Sequence, residues 1–155
     1  MKKKYKLYGR SDTIVRHPDI VEKWKSIGMD LLLMGIESFD EKELKARNKA
    51  STVRNNLEAI EILKKNGVEI AASLLVDPDF TDEDFDFLLK NVKALGLHHP
   101  LFTILTPFPG TDLYERRVGD ITSHNYALYD TLHLLLPSRM PEKEFYERYI
   151  NLFRE

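Results

Sequence analysis

Met29-Asp30-Leu31-Leu32-Leu33-Met34-Gly35-Ile36-Glu37-Ser38 contains an unbroken apolar run, Leu31 to Met34, with no alternation of polar and apolar residues. A strand reads this way when both faces are covered, as in a parallel sheet. The run ends at Gly35-Ile36-Glu37-Ser38, where a carboxylate and a hydroxyl arrive together. Ligands of parallel α/β folds gather at the carboxyl ends of strands, which makes this junction a candidate site. Ser38 has an alternative use, because Ser38-Phe39-Asp40-Glu41 fits the S-x-x-E capping box of a following helix. Capping leaves Glu37 without a role.

On the amino-terminal side, Tyr5 to Tyr8 is a short strand-like stretch ending in Gly9-Arg10-Ser11-Asp12. His17-Pro18 opens a helix with proline in the first turn, and Ile20, Val21, Trp24 and Ile27 share its apolar face. On the carboxyl side a charged helical segment runs from Phe39 to Asn48, followed by a break at Asn48-Lys49-Ala50-Ser51. Val53, Leu57, Ile60 and Leu63 mark the next helix, and Val68 to Val76 the next strand. That strand ends in Asp77-Pro78-Asp79-Phe80. Thr81-Asp82-Glu83-Asp84 then caps a helix whose core face is Phe85, Leu88, Leu89, Val92 and Leu95. Pro100 to Leu105 is a further strand, ending in Thr106-Pro107-Phe108-Pro109-Gly110-Thr111. Three helices end in glycine (Gly28, Gly67, Gly96), and a strand follows each at once, the rhythm of βα units. The remainder changes character. It predicts a short helix over Asp112 to Val118 and a final amphipathic helix from Pro141, with Phe145, Tyr149, Leu152 and Phe153 as its stripe.

Composition narrows the function classes. The 155 residues suit one domain with a real core, and 43% apolar with 31% charged residues argues against disorder. A net charge of −2 gives no bulk field for nucleic acid, and the cluster Lys2, Lys3, Lys4, Lys6 and Arg10 reads as a solvated end. No apolar run has the length of a membrane span or a signal h-region, so a cytoplasmic location is expected. The chain has no cysteine, which excludes disulfides, thiolate nucleophiles and an iron–sulfur cluster held by thiolates of this chain.

In a parallel sheet the strand ends would place Arg10 and Asp12, Glu37 and Ser38, Asp77 and Asp79, and Thr106 on one rim. That convergence is a stronger sign of a site than any single residue. Asp79 and Thr81 also fit ordinary loop and cap chemistry, and the two prolines around Phe108 suit either a rigid turn or a pocket wall. The five histidines form no metal-binding pair, and His133 reads as a hydrogen-bonded core residue.

These residues resemble the radical S-adenosylmethionine (SAM) superfamily, in the later part of its partial (β/α)6 barrel. The resemblance rests on Tyr8-Gly9-Arg10-Ser11-Asp12, Met34-Gly35-Ile36-Glu37-Ser38, Leu44 with Asn48-Lys49, Ser73 to Asp84, and Leu105 to Thr111. The last of these, with Tyr129-Asp130 and His133 to Pro137, is most similar to the cobalamin-binding, hopanoid-methylase-like branch. The resemblance implies an α/β partial barrel fragment of about four parallel strands plus a C-terminal helical segment. Residues 1–120 would be the C-terminal half of the barrel, and residues 121–155 an extension packing on it. It further implies that Glu37 and Ser38 help hold the ribose and amino-acid parts of SAM, and that Arg10 meets its carboxylate. Ser73-Leu74-Leu75-Val76-Asp77 stands where the family carries G-x-I-x-G-x-x-E against the adenine, with both glycines replaced. Ser73, Asp77 and Thr106 complete the expected cofactor-binding set.

The family's C-x3-C-x2-C loop, which holds a [4Fe–4S] cluster, has no counterpart here. The expectation is therefore a fragment of a radical SAM enzyme, possessing part of the SAM and substrate pocket and inactive alone. The Met-Lys-Lys-Lys start directly before a strand is consistent with that reading. The parent would use SAM and [4Fe–4S], with cobalamin and methyl transfer to a small-molecule substrate implied by the branch. Two other classes stand beside it: a non-catalytic half-barrel scaffold, and a hydrolase or aldolase using Glu37 and Asp77. Neither a nucleic-acid partner nor a membrane span is expected, and an open barrel edge would favour self-association.

Overall fold

Apolar runs and glycine stops translate into alternating strands and helices. The computed structural model describes residues 3–46 and 51–154. In chain order the elements are β1 (Tyr5–Gly9), α1 (Ser11–Arg16), α2 (Pro18–Ser26), β2 (Met29–Glu37), α3 (Glu41–Ala46) and α4 (Val53–Lys65). There follow β3 (Glu69–Val76), α5 (Asp82–Ala94), β4 (His99–Ile104), α6 (Asp112–Arg117) and α7 (Glu142–Asn151). The strands form one parallel sheet in the order β1-β2-β3-β4, so the α/β reading and the strand number hold. Among the described residues no helix is long and apolar enough to cross a membrane.

Two local expectations change. Ser11–Arg16 is a helix, where the sequence predicts only the polar end of the first strand. Its single buried apolar side chain, Ile14, is too little to leave a periodic trace. Ile27 is 67% exposed, because it is the C-cap residue of α2 and no longer follows the helical face that buries Val21. The Asn48-Lys49 element of the resemblance lies outside the described residues.

The chain divides into two compact units. The first comprises Met1–Leu74 and Asn91–Leu101. Its core is built on Leu32, Met34 and Ile36 of β2, with Leu44, Ile60 and Leu63 from the helices, all at most 2% exposed. Gly28 shows why glycine closes α2: it has φ 111°, and a Cβ there would lie 2.3 Å from the Lys3 carbonyl oxygen. Two lysines reach main-chain oxygens at later helix ends. Lys25 Nζ donates to Gly67 O at 2.5 Å, and Lys64 Nζ donates to Leu95 O.

The second unit comprises Leu75–Lys90 and Phe102–Glu155, and aromatic rings dominate its core. Phe85 meets Phe80 at 5.4 Å and Phe145 at 5.5 Å between ring centroids, both edge to face. The Tyr149 hydroxyl donates to Phe102 O at 2.8 Å, and burial pushes its pKa up to about 12. Arg148 places its guanidinium 5.7 Å from the Phe85 ring centre and pairs with Asp82 and Asp86. Phe145 is 0% exposed. Its replacement by alanine should destabilise the fold by about 3–5 kcal/mol, measured by urea unfolding followed through far-ultraviolet circular dichroism.

Candidate functional site

The end of β2 departs from regular strand geometry. Gly35 pairs with Ser73 and Glu37 with Leu74, so Ile36 is the extra residue of a β-bulge. Glu37 has φ 66°, and the Ser38 N–H donates across it to Ile36 O at 2.8 Å. An i to i+2 bond around a positive φ is a γ-turn of the rarer, strained kind. A left-handed glutamate costs on the order of 1–3 kcal/mol, and such strain concentrates at ligand sites.

A buried polar chain holds this turn. Ile36 O can only accept, so the Asn56 amide must present Nδ2 to it, at 3.0 Å. Oδ1 of Asn56 is thereby left to accept from Ser51 Oγ, at 2.8 Å. Ser51 has then spent its proton, and Ser11 Oγ donates to it at 2.5 Å. The relay runs from α1 through the residue before the Thr52 cap and through α4 to the β2 end. Asn56 is 0% and Ser11 2% exposed. Neither was singled out from sequence. The available signal was an asparagine three residues after Val53 and four before Ile60, on the apolar face of α4.

Gly35 completes the geometry. A Cβ at this position would lie 2.8 Å from Glu37 Oε1, so the carboxylate folds back over Gly35. Ser38 does not form the predicted capping box. Its Oγ accepts from Asp40 N at 2.9 Å, while Asp40 Oδ1 accepts from Lys42 N at 2.6 Å and begins α3. The γ-turn delays the helix, and Asp40 takes the capping role. Glu41 instead accepts from Val53 N through Oε2, at 2.9 Å, joining α3 to the start of α4.

The sheet register thus brings Ser73 beside the Glu37 turn, with Ser38 next in the chain. Arg10 stands just past the end of β1, its side chain 67% exposed and its Nε 2.9 Å from Asp12 Oδ1. Asp12 also pairs with Arg16 at 2.9 Å. In the second unit Asp77 Oδ1 accepts from Asp79 N at 3.1 Å, and the Thr106 hydroxyl donates to Ile104 O at 3.0 Å. Both therefore shape the chain directly after their strands. His133 is hydrogen-bonded, as expected, but not core: Nδ1 lies 2.9 Å from Asp130 Oδ2 and the side chain is 48% exposed. Leu135 and Leu136 take the buried positions of that segment. Phe108, Tyr126 and Tyr129 form a partly exposed aromatic cluster, with Tyr126–Tyr129 centroids 5.4 Å apart.

The hydrogen bond from Arg10 is the main cause that holds the Asp12 carboxyl below its ordinary pKa, reinforced by the charge of Arg16. A folded-state value below the unfolded one adds stability that is complete above the ordinary carboxylate range. It disappears as pH falls through the lower folded value. Titration of the Asp12 carboxyl carbon by NMR should therefore give a midpoint below that of a free aspartate. Arg10→Ala should move it upward.

Comparison with known proteins gives this geometry a context. The family model described as the radical SAM superfamily matches residues 9–92, more than half of the chain. Hopanoid C-3 methylase of Methylococcus capsulatus is 30% identical over 146 residues, covering 94% of this chain and 28% of that protein. Bacteriochlorophyllide d C-8(2)-methyltransferase of Chlorobaculum tepidum is 34% identical over 133 residues, covering 83% of this chain and 30% of that protein. The chain thus spans less than a third of these curated relatives. Among solved structures, the radical SAM methyltransferase TsrM of Kitasatospora setae, with cobalamin and a [4Fe–4S] cluster bound, superposes with TM-score 0.59 at 17% identity. The match covers 88% of this chain and 28% of that one, and at this identity it speaks to the fold alone. With a parallel sheet, a strained acidic strand end and a family match over residues 9–92, the chain belongs to the radical SAM superfamily.

Proposed function

We propose that this chain is part of a radical SAM enzyme of methyltransferase type, forming one share of the SAM and substrate pocket. The observation that carries the proposal is the Glu37 turn, held strained by buried hydrogen bonds at the carboxyl end of a parallel strand. The donor set suits one part of SAM. Glu37 supplies two carboxylate oxygens, acceptors that match the two hydroxyl donors of a ribose. Ser73 is in register beside the turn and Ser38 follows it, while Arg10 carries the charge to meet a ligand carboxylate. Asp77 and Thr106 stand at strand ends of the second unit and are proposed as ligand contacts of that unit by itself. When bound, SAM supplies this superfamily with a carbon-centred radical that removes hydrogen from a substrate. The contribution of this chain is to bind and orient, through Glu37 on the ribose and Arg10 on the amino-acid end.

The residues present do not fit the other group that the superfamily uses. A [4Fe–4S] cluster is held by cysteine thiolates, and this chain has none. On this reading the chain is inactive alone and the cluster ligands reside elsewhere in a longer parent. Residues 1–120 would then correspond to the C-terminal half of the barrel and residues 121–155 to an extension on it. Cobalamin would belong to that parent, as would the small-molecule substrate. The lack of cysteine equally supports a second reading, a non-catalytic half-barrel that binds a partner or ligand without turnover.

Ligand binding tests the assignment. Isothermal calorimetry of the 155-residue chain with S-adenosylhomocysteine should show weak but saturable binding, reduced at least tenfold by Glu37→Ala. Saturable binding that ignores Glu37 would place the ligand elsewhere, and no binding would favour the scaffold reading.

The free edge of β1 generates a second expectation. Its outer side has no strand neighbour among the described residues, and Tyr8 is 82% exposed. Unpaired N–H and C=O groups along such an edge invite pairing with another chain. Multi-angle light scattering over a concentration series should show self-association, weakened by Tyr8→Lys. A monomer at every concentration would refute it.

A further inference from the structure

We infer that Asn56 is a positioning residue of the ligand site, setting the orientation of the Glu37 carboxylate through the Ile36 carbonyl. The inference rests on the proposed role of Glu37 and assigns a function to a helix residue that touches no ligand. Three observations carry it. Asn56 is completely buried on the core-facing side of α4, where every neighbouring position in the helical pattern (Ala59, Ile60, Leu63) is apolar. A polar side chain there is costly unless its hydrogen bonds are met. Its Nδ2 goes to the one carbonyl that the bulge has displaced from regular pairing, at 3.0 Å. That same carbonyl accepts the Ser38 N–H at 2.8 Å, the bond that closes the turn over Glu37.

The direction of the relay makes the amide irreplaceable by its closest isostere. Aspartate has the size of asparagine and could still accept from Ser51. It has no N–H for Ile36 O, however, and would set a carboxylate oxygen against a carbonyl oxygen. The peptide between Ile36 and Glu37 should then rotate, the Ser38 amide should lose its partner, and Glu37 should relax from φ 66° toward the extended region. Its carboxylate would leave the surface over Gly35. The bond to Ser38 is local to the turn and holds this peptide from one side. The second bond, from a rigid helix, fixes it.

The test separates positioning from ordinary stability by asking for ribose recognition. Adenosine and 2′,3′-dideoxyadenosine differ only in the hydroxyls that Glu37 is proposed to accept from. Their dissociation constants would be measured by NMR titration of the nitrogen-15-labelled chain. The unaltered chain should prefer adenosine, and Glu37→Ala should abolish the preference. Asn56→Asp should weaken adenosine about tenfold while leaving the dideoxy compound unchanged, and Glu37→Ala/Asn56→Asp should be no weaker than Glu37→Ala alone. Without ligand, the Ser38 amide should exchange with deuterium at least tenfold faster in Asn56→Asp. If that variant fails to fold, Ser51→Ala, which frees the amide to rotate, should give the same pattern in milder form. Equal weakening of both nucleosides, or full additivity with Glu37→Ala, would overturn the positioning role while leaving the Glu37 site intact. No preference for adenosine in the unaltered chain would overturn the site reading itself, and the positioning role with it.

Discussion

The Ile36 carbonyl oxygen is a buried acceptor that the sheet can no longer serve. A bulge between Gly35 and Glu37 takes it out of regular pairing with β3, and Ile36 itself is 0% exposed. Buried backbone groups almost always find partners, because leaving one unsatisfied costs as much as a lost hydrogen bond. Here the partners are the Asn56 amide and the Ser38 N–H. The strain of a left-handed Glu37 persists because both bonds depend on it. A core asparagine and its chain to Ser51 and Ser11 serve that one displaced oxygen.

The two units meet the problem of buried polarity differently. Around β2 a directional chain of hydroxyl, hydroxyl, amide and carbonyl is sunk among aliphatic side chains. In the second unit the rings of Phe80, Phe85 and Phe145 interlock edge to face, and polar atoms sit at their margins. Tyr149 extends its hydroxyl to a single main-chain oxygen, and Arg148 lies over the Phe85 face while its charge meets Asp82 and Asp86. Interlocked rings can be repacked by changing volume. A directional relay cannot, because each member fixes the proton of the next.

What could be read from sequence was what repeats. Leu31 to Met34 has no alternation, and the strand it predicts is there, with Leu32 and Met34 buried and Leu31 and Leu33 half-buried; the glycine after each of three helices marked where a strand would begin. Those features arise from local spacing. The features that escaped arise from tertiary contacts. A bulge at Ile36 leaves no mark in composition, and Glu37 carries no sign that its φ is positive. Ser38 illustrates the difference. Its S-x-x-E pattern is real, but the turn before it shifts the helix start and Asp40 caps instead. Arg10, Ser73, Asp77 and Thr106 could be placed at strand ends from the rhythm alone. Their partners, such as Asp12 for Arg10 and Ile104 O for Thr106, required coordinates.

Lys25 and Lys64 grip main-chain oxygens, Gly67 O and Leu95 O, that follow the later helices α4 and α5. Every amino acid presents the same carbonyl, so these tethers do not depend on which side chains the gripped segments carry. Sequence drift in the final turns of α4 and α5 can therefore proceed without loosening the stitch, provided the backbone path and the two lysines persist. The end of the sheet where strands begin is in this sense insulated from mutation. The opposite end, where Glu37 stands, depends on one amide at one position and can tolerate far less.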